Sequence, residues 1–253
     1  MLFAQYIPGN GYFDIPSSYY PVFVPGNSHG GVYVSFGGVI EGAIFPVLLE
    51  SIELIRGSKF WTDEDHRGLQ EWFRKFLYWL LESQHGKDEA SPKNNHGSWY
   101  CTQVAAYAIF SNELDIARRI LTKNVPERVA MQIKPDGSQP SELERATPFR
   151  YTAFSLSSFF NLALLGEGLD IDLWNYRTSN GACLKNAMDW VMPFLEGTKV
   201  WSYPSIKPVD YTIIIPLLCI AQRAYGDPRY TNVISKFSDY DIENRYRLLY
   251  SMI

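Results

Sequence analysis

The chain has 253 residues, 46% of them hydrophobic, and a formal net charge of -4 at pH 7. This length allows one large domain or two small ones with a substantial core. The acidic balance argues against a general nucleic-acid binder, which needs a broad basic surface. No stretch is suited to spanning a membrane, because Pro216 interrupts the most apolar one, residues 211–224.

The first 37 residues are rich in Gly, Pro, Tyr and Ser, and this composition predicts an irregular segment. Residues 39–55 carry apolar side chains at helical spacing and predict a helix that Gly57 ends. A second helix is predicted from a cap at Thr62 to near Gly86. Residues 1–10 lack the basic start and long apolar middle of a signal peptide.

Helical patterns continue through the rest of the chain. The predicted helices cover residues 104–110 with Ser98 as the N-cap, 114–121, 127–133, 143–165 with a regular part from Pro148, 184–195, 211–225, 230–237 and 243–252. No linker divides the chain, so the sequence predicts one all-α domain over residues 1–253. Paired helices with polar and aromatic loops favour an α/α toroid, and an irregular bundle is the alternative.

The stretch 93–103 concentrates polar and aromatic side chains just before a predicted helix. Its order is Lys93-Asn94-Asn95-His96-Gly97-Ser98-Trp99-Tyr100-Cys101-Thr102-Gln103. A helix start offers backbone donors and a positive dipole end, so Asn95 and His96 are predicted to face an anionic ligand. The 15% aromatic content also favours a carbohydrate, because sugar-binding clefts use aromatic faces.

A second dense stretch covers residues 135–151 and combines a turn with an amide, acids, two arginines and a phenol. It begins Pro135-Asp136-Gly137, which is strong turn chemistry, and it ends at Tyr151. Together with Asn95 and His96 it holds the residue types needed by a lyase acting on a uronic-acid polymer. The three cysteines, Cys101, Cys183 and Cys219, are far apart with no CxxC pair and indicate neither a zinc site nor a disulfide framework.

These motifs resemble the alginate lyases of polysaccharide lyase family five and the wider alginate-lyase domain. The matching features are Phe3-Ala4-Gln5 with Pro8-Gly9, Trp61-Thr62, Trp72-Phe73, Asn94-Asn95-His96-Gly97-Ser98-Trp99-Tyr100 with Gln103, Pro135-Asp136-Gly137-Ser138-Gln139-Pro140, Glu142-Leu143, Arg145, Tyr151, Asp172-Leu173-Trp174 and Tyr176-Arg177. The resemblance implies an α/α toroid, or an incomplete barrel, that cleaves 4-linked, mannuronate-rich alginate by β-elimination. It also implies a longer N-terminal helical region, so the chain is expected to be N-terminally truncated.

By this resemblance the catalytic residues are Asn95, His96, Arg145 and Tyr151. Asn95 and Arg145 match the groups that neutralise the substrate carboxylate, and His96 is either the base or a further neutraliser. Tyr151 matches the acid and, in a syn elimination, also the base. Arg150 stands where many relatives carry His and is an alternative carboxylate partner.

The predicted substrate-binding residues are Asn94, Trp99, Tyr100, Gln103, Gln139 and Arg150. Tyr100 has a second interpretation as core, and Gln139 as a turn residue. Structural roles are predicted for Asp136, Glu142 and Glu144. No cofactor or metal is expected, because a lone His among amides offers too few ligands.

The expected partner is an anionic polysaccharide, alginate or a related polyuronate, bound by a monomer with no nucleic-acid or membrane partner. The resemblance implies a periplasmic or extracellular location. Two other functions stay open: a uronan-binding pseudoenzyme, and a helical-toroid glycoside hydrolase that uses two carboxylates such as Asp136 and Glu142.

Overall fold

The structure, a computed structural model, describes residues 36–237. Every regular element in this range is helical and no strand occurs within it, which confirms the predicted all-α class. Most of the predicted irregular segment 1–37 and the whole predicted helix 243–252 lie outside the described residues. No helix in the described range is both long and apolar enough to cross a bilayer.

The described α-helices are α1 (Phe45–Ile55), α2 (Asp63–Glu82), α3 (Gln84–Ala90), α4 (Asn95–Phe110), α5 (Leu114–Arg119), α6 (Val125–Gln132), α7 (Pro140–Leu143), α8 (Pro148–Glu167), α9 (Leu184–Glu196), α10 (Ile215–Tyr225) and α11 (Pro228–Lys236). A 3₁₀ segment, Phe36–Ile44, precedes α1, and another, Tyr211–Ile214, precedes α10. A π-helical turn, Ile120–Asn124, joins α5 to α6.

Local signals explain several of these boundaries. Thr62 caps α2 in a capping box: its hydroxyl accepts from the backbone of Asp65, whose carboxylate accepts from the backbone of Thr62. Pro148 begins α8, as its fixed φ predicts. The α-helix predicted over 39–55 begins only at Phe45, next to Pro46, since proline favours the first turn of a helix and disrupts its interior.

The predicted N-cap at Ser98 is wrong. Helix α4 begins three residues earlier, at Asn95, and Ser98 lies fully buried inside it. The predicted second helix also ends earlier than Gly86, because Ser83 closes α2 and its hydroxyl then caps α3 through the backbone N–H of Gly86.

The chain divides into two compact units. Unit 1 comprises residues 1–92 and 96–122, and unit 2 comprises residues 93–95 and 123–253. The prediction of one domain over residues 1–253 stays a prediction.

The described core of unit 1 is aromatic. The ring of Phe45 contacts those of Trp72, Phe73, Phe76 and Tyr107 at centroid distances of 5.8–6.3 Å, mostly edge to face. Such pairs add stabilisation beyond the burial of apolar area. Aromatic side chains of α2 thus fix the long α4 against α1.

Helix α8 is the central element of unit 2 and contacts α7, α9 and α10. Its buried face includes Phe149, Phe159, Phe160 and Leu162. The first turn of α8, which carries Arg150 and Tyr151, is thereby anchored by the unit's core.

Gly137 closes the turn between α6 and α7. Its φ of +91° is in the left-handed region, and an added Cβ would lie 1.9 Å from the carbonyl oxygen of Asn186. The side chain of Asn186 in turn donates to the carbonyl of Pro135 at 2.7 Å. Only glycine fits here without moving the turn from the start of α9.

We predict that Gly137→Ala lowers the free energy of unfolding by about 2–3 kcal/mol, because it combines backbone strain with a clash against backbone atoms. Gly57→Ala is the control, since nothing lies within 4 Å of its added Cβ. Denaturant unfolding of both variants measures the effect. Equal stabilities would contradict the close approach.

Candidate active site

The start of α4 is held by a buried acid from elsewhere in the sequence. Glu142, on α7, accepts two hydrogen bonds of 2.7 Å from Asn95, one from the backbone N–H and one from the side-chain Nδ2. The backbone bond satisfies a helix-terminal N–H, and a negative charge is favourable at the positive end of the dipole. Glu142 therefore caps α4, in the place predicted for Ser98.

Asn95 has no exposed surface in this arrangement. Its side-chain amide donates to Glu142. The predicted role of Asn95 as a neutralising donor stays a prediction.

His96, the next residue, is held by a different buried acid. Its Nδ1 lies 2.8 Å from Oε1 of Glu89, on α3, and the Glu89 side chain is completely buried while that of His96 is 19% exposed. The second oxygen of Glu89, Oε2, has no hydrogen-bond partner among the described residues. Burial raises the pKa of Glu89, and the hydrogen bond and charge of His96 act in the opposite direction.

Arg145 and Tyr151 form a stacked pair in unit 2. The guanidinium carbon of Arg145 lies 4.0 Å from the centre of the Tyr151 ring, a cation–π contact. The Tyr151 hydroxyl makes no hydrogen bond to any described residue. Tyr151 lies in the first turn of α8 and Arg145 just before that helix, and the catalytic roles of both residues stay a prediction.

Two positive charges accompany this phenol. Neither Arg145 nor the exposed Arg150 forms an ion pair with a described acid. Guanidinium groups bind carboxylates in a planar, bidentate manner. This part of unit 2 is therefore suited to an anionic ligand.

The other predicted substrate-binding residues are mostly turned into the protein. Tyr100 is 8% exposed, and its hydroxyl donates to the carbonyl of Leu80. Gln103 is fully buried, donates to the carbonyl of Val39, and accepts from the hydroxyl of Tyr107. These contacts favour the core interpretation of Tyr100 and give Gln103 a structural role.

The remaining three predicted contacts differ in exposure. Trp99 is 5% exposed, and Gln139 is 1% exposed with its side-chain nitrogen donating to the carbonyl of Thr152. Asn94 is half-buried, just before α4. Substrate binding by these residues stays a prediction, and the burial of Trp99 and Gln139 lends it no support.

The acids proposed for a hydrolase are engaged in structural roles. Asp136 accepts from the hydroxyl and backbone N–H of Ser138, and these hydrogen bonds hold the pKa of Asp136 below its ordinary value. A glycosidase acid needs a raised pKa instead. Both oxygens of Glu142 are occupied by Asn95. Neither acid is arranged for glycoside hydrolysis.

Sequence reasoning missed Glu89. The only signal was an acid seven residues before His96, a separation without meaning until α3 and α4 are in place. No group of three or more His, Cys, Asp or Glu side chains in the described range is arranged to hold a metal ion.

Comparison with solved structures places this fold among helical lyases. The chain is similar to the crystal structure of an alginate lyase from Bacteroides ovatus, with a TM-score of 0.80 and 27% sequence identity over 87% of this chain. This chain spans 58% of the length of that relative. The likeness is consistent with the predicted α/α-toroid class.

Residues 14–201 match the family model described as alginate lyase. Because that match covers more than half of the chain, the protein belongs to the alginate lyase family. A search of curated proteins finds no match.

We predict that Glu142→Gln lowers the free energy of unfolding by about 1–3 kcal/mol, because one buried acceptor and the negative charge at the start of α4 are lost. Glu144→Gln removes a charge from an exposed position nearby and is the matched control. Denaturant unfolding compares them. A loss no larger than in the control would contradict the cap.

Glu89 gives a pH-dependent prediction. Its folded pKa is raised above the ordinary value of 4.5, so the contribution of this group is most favourable below 4.5 and is lost as pH rises through the folded pKa. Denaturant unfolding over this pH range should show the wild type losing stability relative to Glu89→Gln as pH rises. Parallel pH curves for the two proteins would contradict the prediction, and Glu144→Gln should parallel the wild type.

Proposed function

We propose that this protein is a polysaccharide lyase that cleaves a 4-linked uronic-acid polymer by β-elimination, with mannuronate-rich alginate as its preferred substrate. Membership of the alginate lyase family supports the reaction class. The observation that carries the proposal is the stack of Arg145 on Tyr151. Among the described residues, the Tyr151 hydroxyl has no hydrogen-bond partner and the Arg145 guanidinium has no acidic partner.

The reaction explains why these groups are needed. A base removes the proton from C5 of the uronate, the electron pair forms a double bond between C4 and C5, and the bond from C4 to O4 breaks with protonation of O4. Negative charge develops on the carboxylate beside C5. Preorganised donors at that carboxylate lower the barrier most, because they act where charge develops.

Tyr151 is the proposed base and acid. A phenol ordinarily titrates near pH ~10, so proton abstraction at lower pH requires stabilisation of the phenolate. The guanidinium of Arg145, 4.0 Å from the ring centre, orients the ring and places a positive charge beside the reacting groups. In a syn elimination the same oxygen takes the C5 proton and returns a proton to O4.

His96 is the proposed donor to the substrate carboxylate. Its Nδ1 is bonded to Glu89, which fixes the orientation of the imidazole, and the side chain is 19% exposed. Of the two roles left open by the sequence, we propose that of carboxylate neutraliser for His96.

Arg150 and Asn95 complete the proposed site. Arg150 is exposed and lies next to Tyr151 in sequence, so its guanidinium is proposed to bind a substrate carboxylate. Asn95 is proposed to help neutralise the substrate carboxylate, as the family resemblance implies, and its bond to Glu142 fixes the orientation of its side chain. The monomeric state and the periplasmic or extracellular location remain part of the proposal.

We predict that Tyr151→Phe lowers kcat on polymannuronate by about 10²–10⁴-fold, because the group that transfers protons is lost. Formation of the unsaturated uronate is followed by its ultraviolet absorbance. Tyr78→Phe, on an exposed part of α2, is the matched control and should retain activity.

We expect Arg145→Gln to lower kcat/KM on polymannuronate, because the positive charge stacked on the Tyr151 ring is lost. Full activity in Tyr151→Phe would contradict the proposed lyase mechanism.

A wild-type protein that binds polymannuronate tightly without generating unsaturated ends would support a uronan-binding pseudoenzyme instead.

A further inference from the structure

A group of aromatic residues surrounds the segment between α9 and α10, here called the aromatic loop (residues 197–210). Gly197 ends α9 in the left-handed conformation, and the 3₁₀ segment Tyr211–Ile214 follows the loop. Trp201 is central: its ring contacts those of Phe194 at 4.9 Å and Tyr203 at 5.0 Å. Trp190 contacts Trp201 and Tyr203, each at 6.0 Å.

The aromatic loop is attached to the segment that carries the stacked pair. The backbone N–H of Ile206 donates to the carbonyl of Ala146, the residue after Arg145, at 2.9 Å. Phe149, two residues before Tyr151, contacts the ring of Trp201 at 5.2 Å. Both connections lie within unit 2, so the aromatic residues adjoin the proposed catalytic segment.

These side chains do not form an ordinary closed core. Trp190, Trp201, Tyr203 and Tyr211 are all half-buried. The indole N–H of Trp201 is buried without a hydrogen-bond partner among the described residues. The indole N–H of Trp190 makes no hydrogen bond to a described residue, and neither do the hydroxyls of Tyr203 and Tyr211. Tyrosine and tryptophan in a completed core usually find such partners.

Aromatic faces combined with unused donors match the chemistry of a sugar. The C–H face of a pyranose packs on an aromatic ring, while its hydroxyls hydrogen-bond to groups at the ring edges. Positive charge is also present, because Lys199, Lys207 and Arg150 form no ion pair with a described acid. A ligand that carries both sugar hydroxyls and carboxylates matches the Tyr203 and Tyr211 hydroxyls and these cations, whereas the buried indole N–H of Trp201 is out of its reach.

We propose that the aromatic loop forms a distal subsite that binds a uronate residue of the polymer beyond the bond to be cleaved, with Tyr203 as its stacking platform. The inference rests on the proposed function, since it extends the same site. It adds a preference for long substrates. In this proposal a short oligosaccharide held at Tyr151 leaves the aromatic loop empty, whereas a long one fills it.

Calorimetric titration tests the subsite in proteins that also carry Tyr151→Phe, so that cleavage does not interfere. The ligands are a uronate disaccharide and a long oligomannuronate. Tyr203→Ala should raise the Kd for the long ligand by roughly threefold to tenfold, the loss expected for one aromatic contact. Tyr203→Phe, which retains the ring, should lose less.

Val200→Ala is the matched control, because Val200 is 85% exposed on the same loop and makes no ring contact. Its Kd for the long ligand should equal that of the parent. If Tyr203→Ala and Tyr203→Phe both bind the long ligand like the parent, the subsite is overturned. Tyr203→Leu, which removes the ring but keeps an apolar side chain, makes the same test if the alanine variant unfolds.

The experiment separates this inference from the proposed function. One outcome is that the protein with Tyr151 intact cleaves no uronan while binding of the long ligand still depends on Tyr203. That result would support the subsite and contradict the lyase function. Cleavage of polymannuronate with no effect of Tyr203 substitutions on binding would support the lyase function and contradict the subsite.

Discussion

The bond between the Glu142 carboxylate and Asn95 is the constraint on which the candidate site depends. It joins the short helix α7 to the first residue of α4 with two hydrogen bonds of 2.7 Å, inside the protein. A buried carboxylate is unfavourable unless it is well hydrogen-bonded. The two hydrogen bonds therefore stabilise the Glu142 carboxylate as well as the start of α4. Loss of the Glu142 carboxylate removes both of these buried hydrogen bonds.

The next residue along α4, His96, also bonds to a buried acid, but that acid is less completely hydrogen-bonded. His96 meets a completely buried Glu89, whose second oxygen lacks a described hydrogen-bond partner. An incompletely satisfied buried acid destabilises the fold, and such compromises concentrate at functional sites. The pair restricts the orientation of the imidazole, which a positioned donor requires. The destabilisation is then a consequence of preorganisation.

The sequence predicted those structural features that depend on residues close together in the chain. The capping box at Thr62, the helix start at Pro148 and the turn at Gly137 each depend on residues close together in the chain. The Arg145–Tyr151 contact falls in the same class, since its members are six residues apart. The helical class and most helix positions followed from apolar spacing alone.

Long-range partners were beyond such reasoning. Ser98 has the right chemistry for an N-cap, but the cap of α4 is Glu142, 47 residues from Asn95. Gln103 looked like a substrate contact because its polarity was visible and its buried partner Val39, 64 residues away, was not. The aromatic loop gave no motif, because its rings meet only when α8, α9 and the loop are packed together.

The central claim is that Tyr151 and its neighbours perform an elimination, and the structure of the products tests it most directly. Oligosaccharides released from polymannuronate would be analysed by mass spectrometry. Elimination gives one fragment with an unsaturated end, lighter by one water than the corresponding hydrolysis product. The account predicts these unsaturated fragments; release of only saturated fragments, or of none from the folded protein, would contradict it.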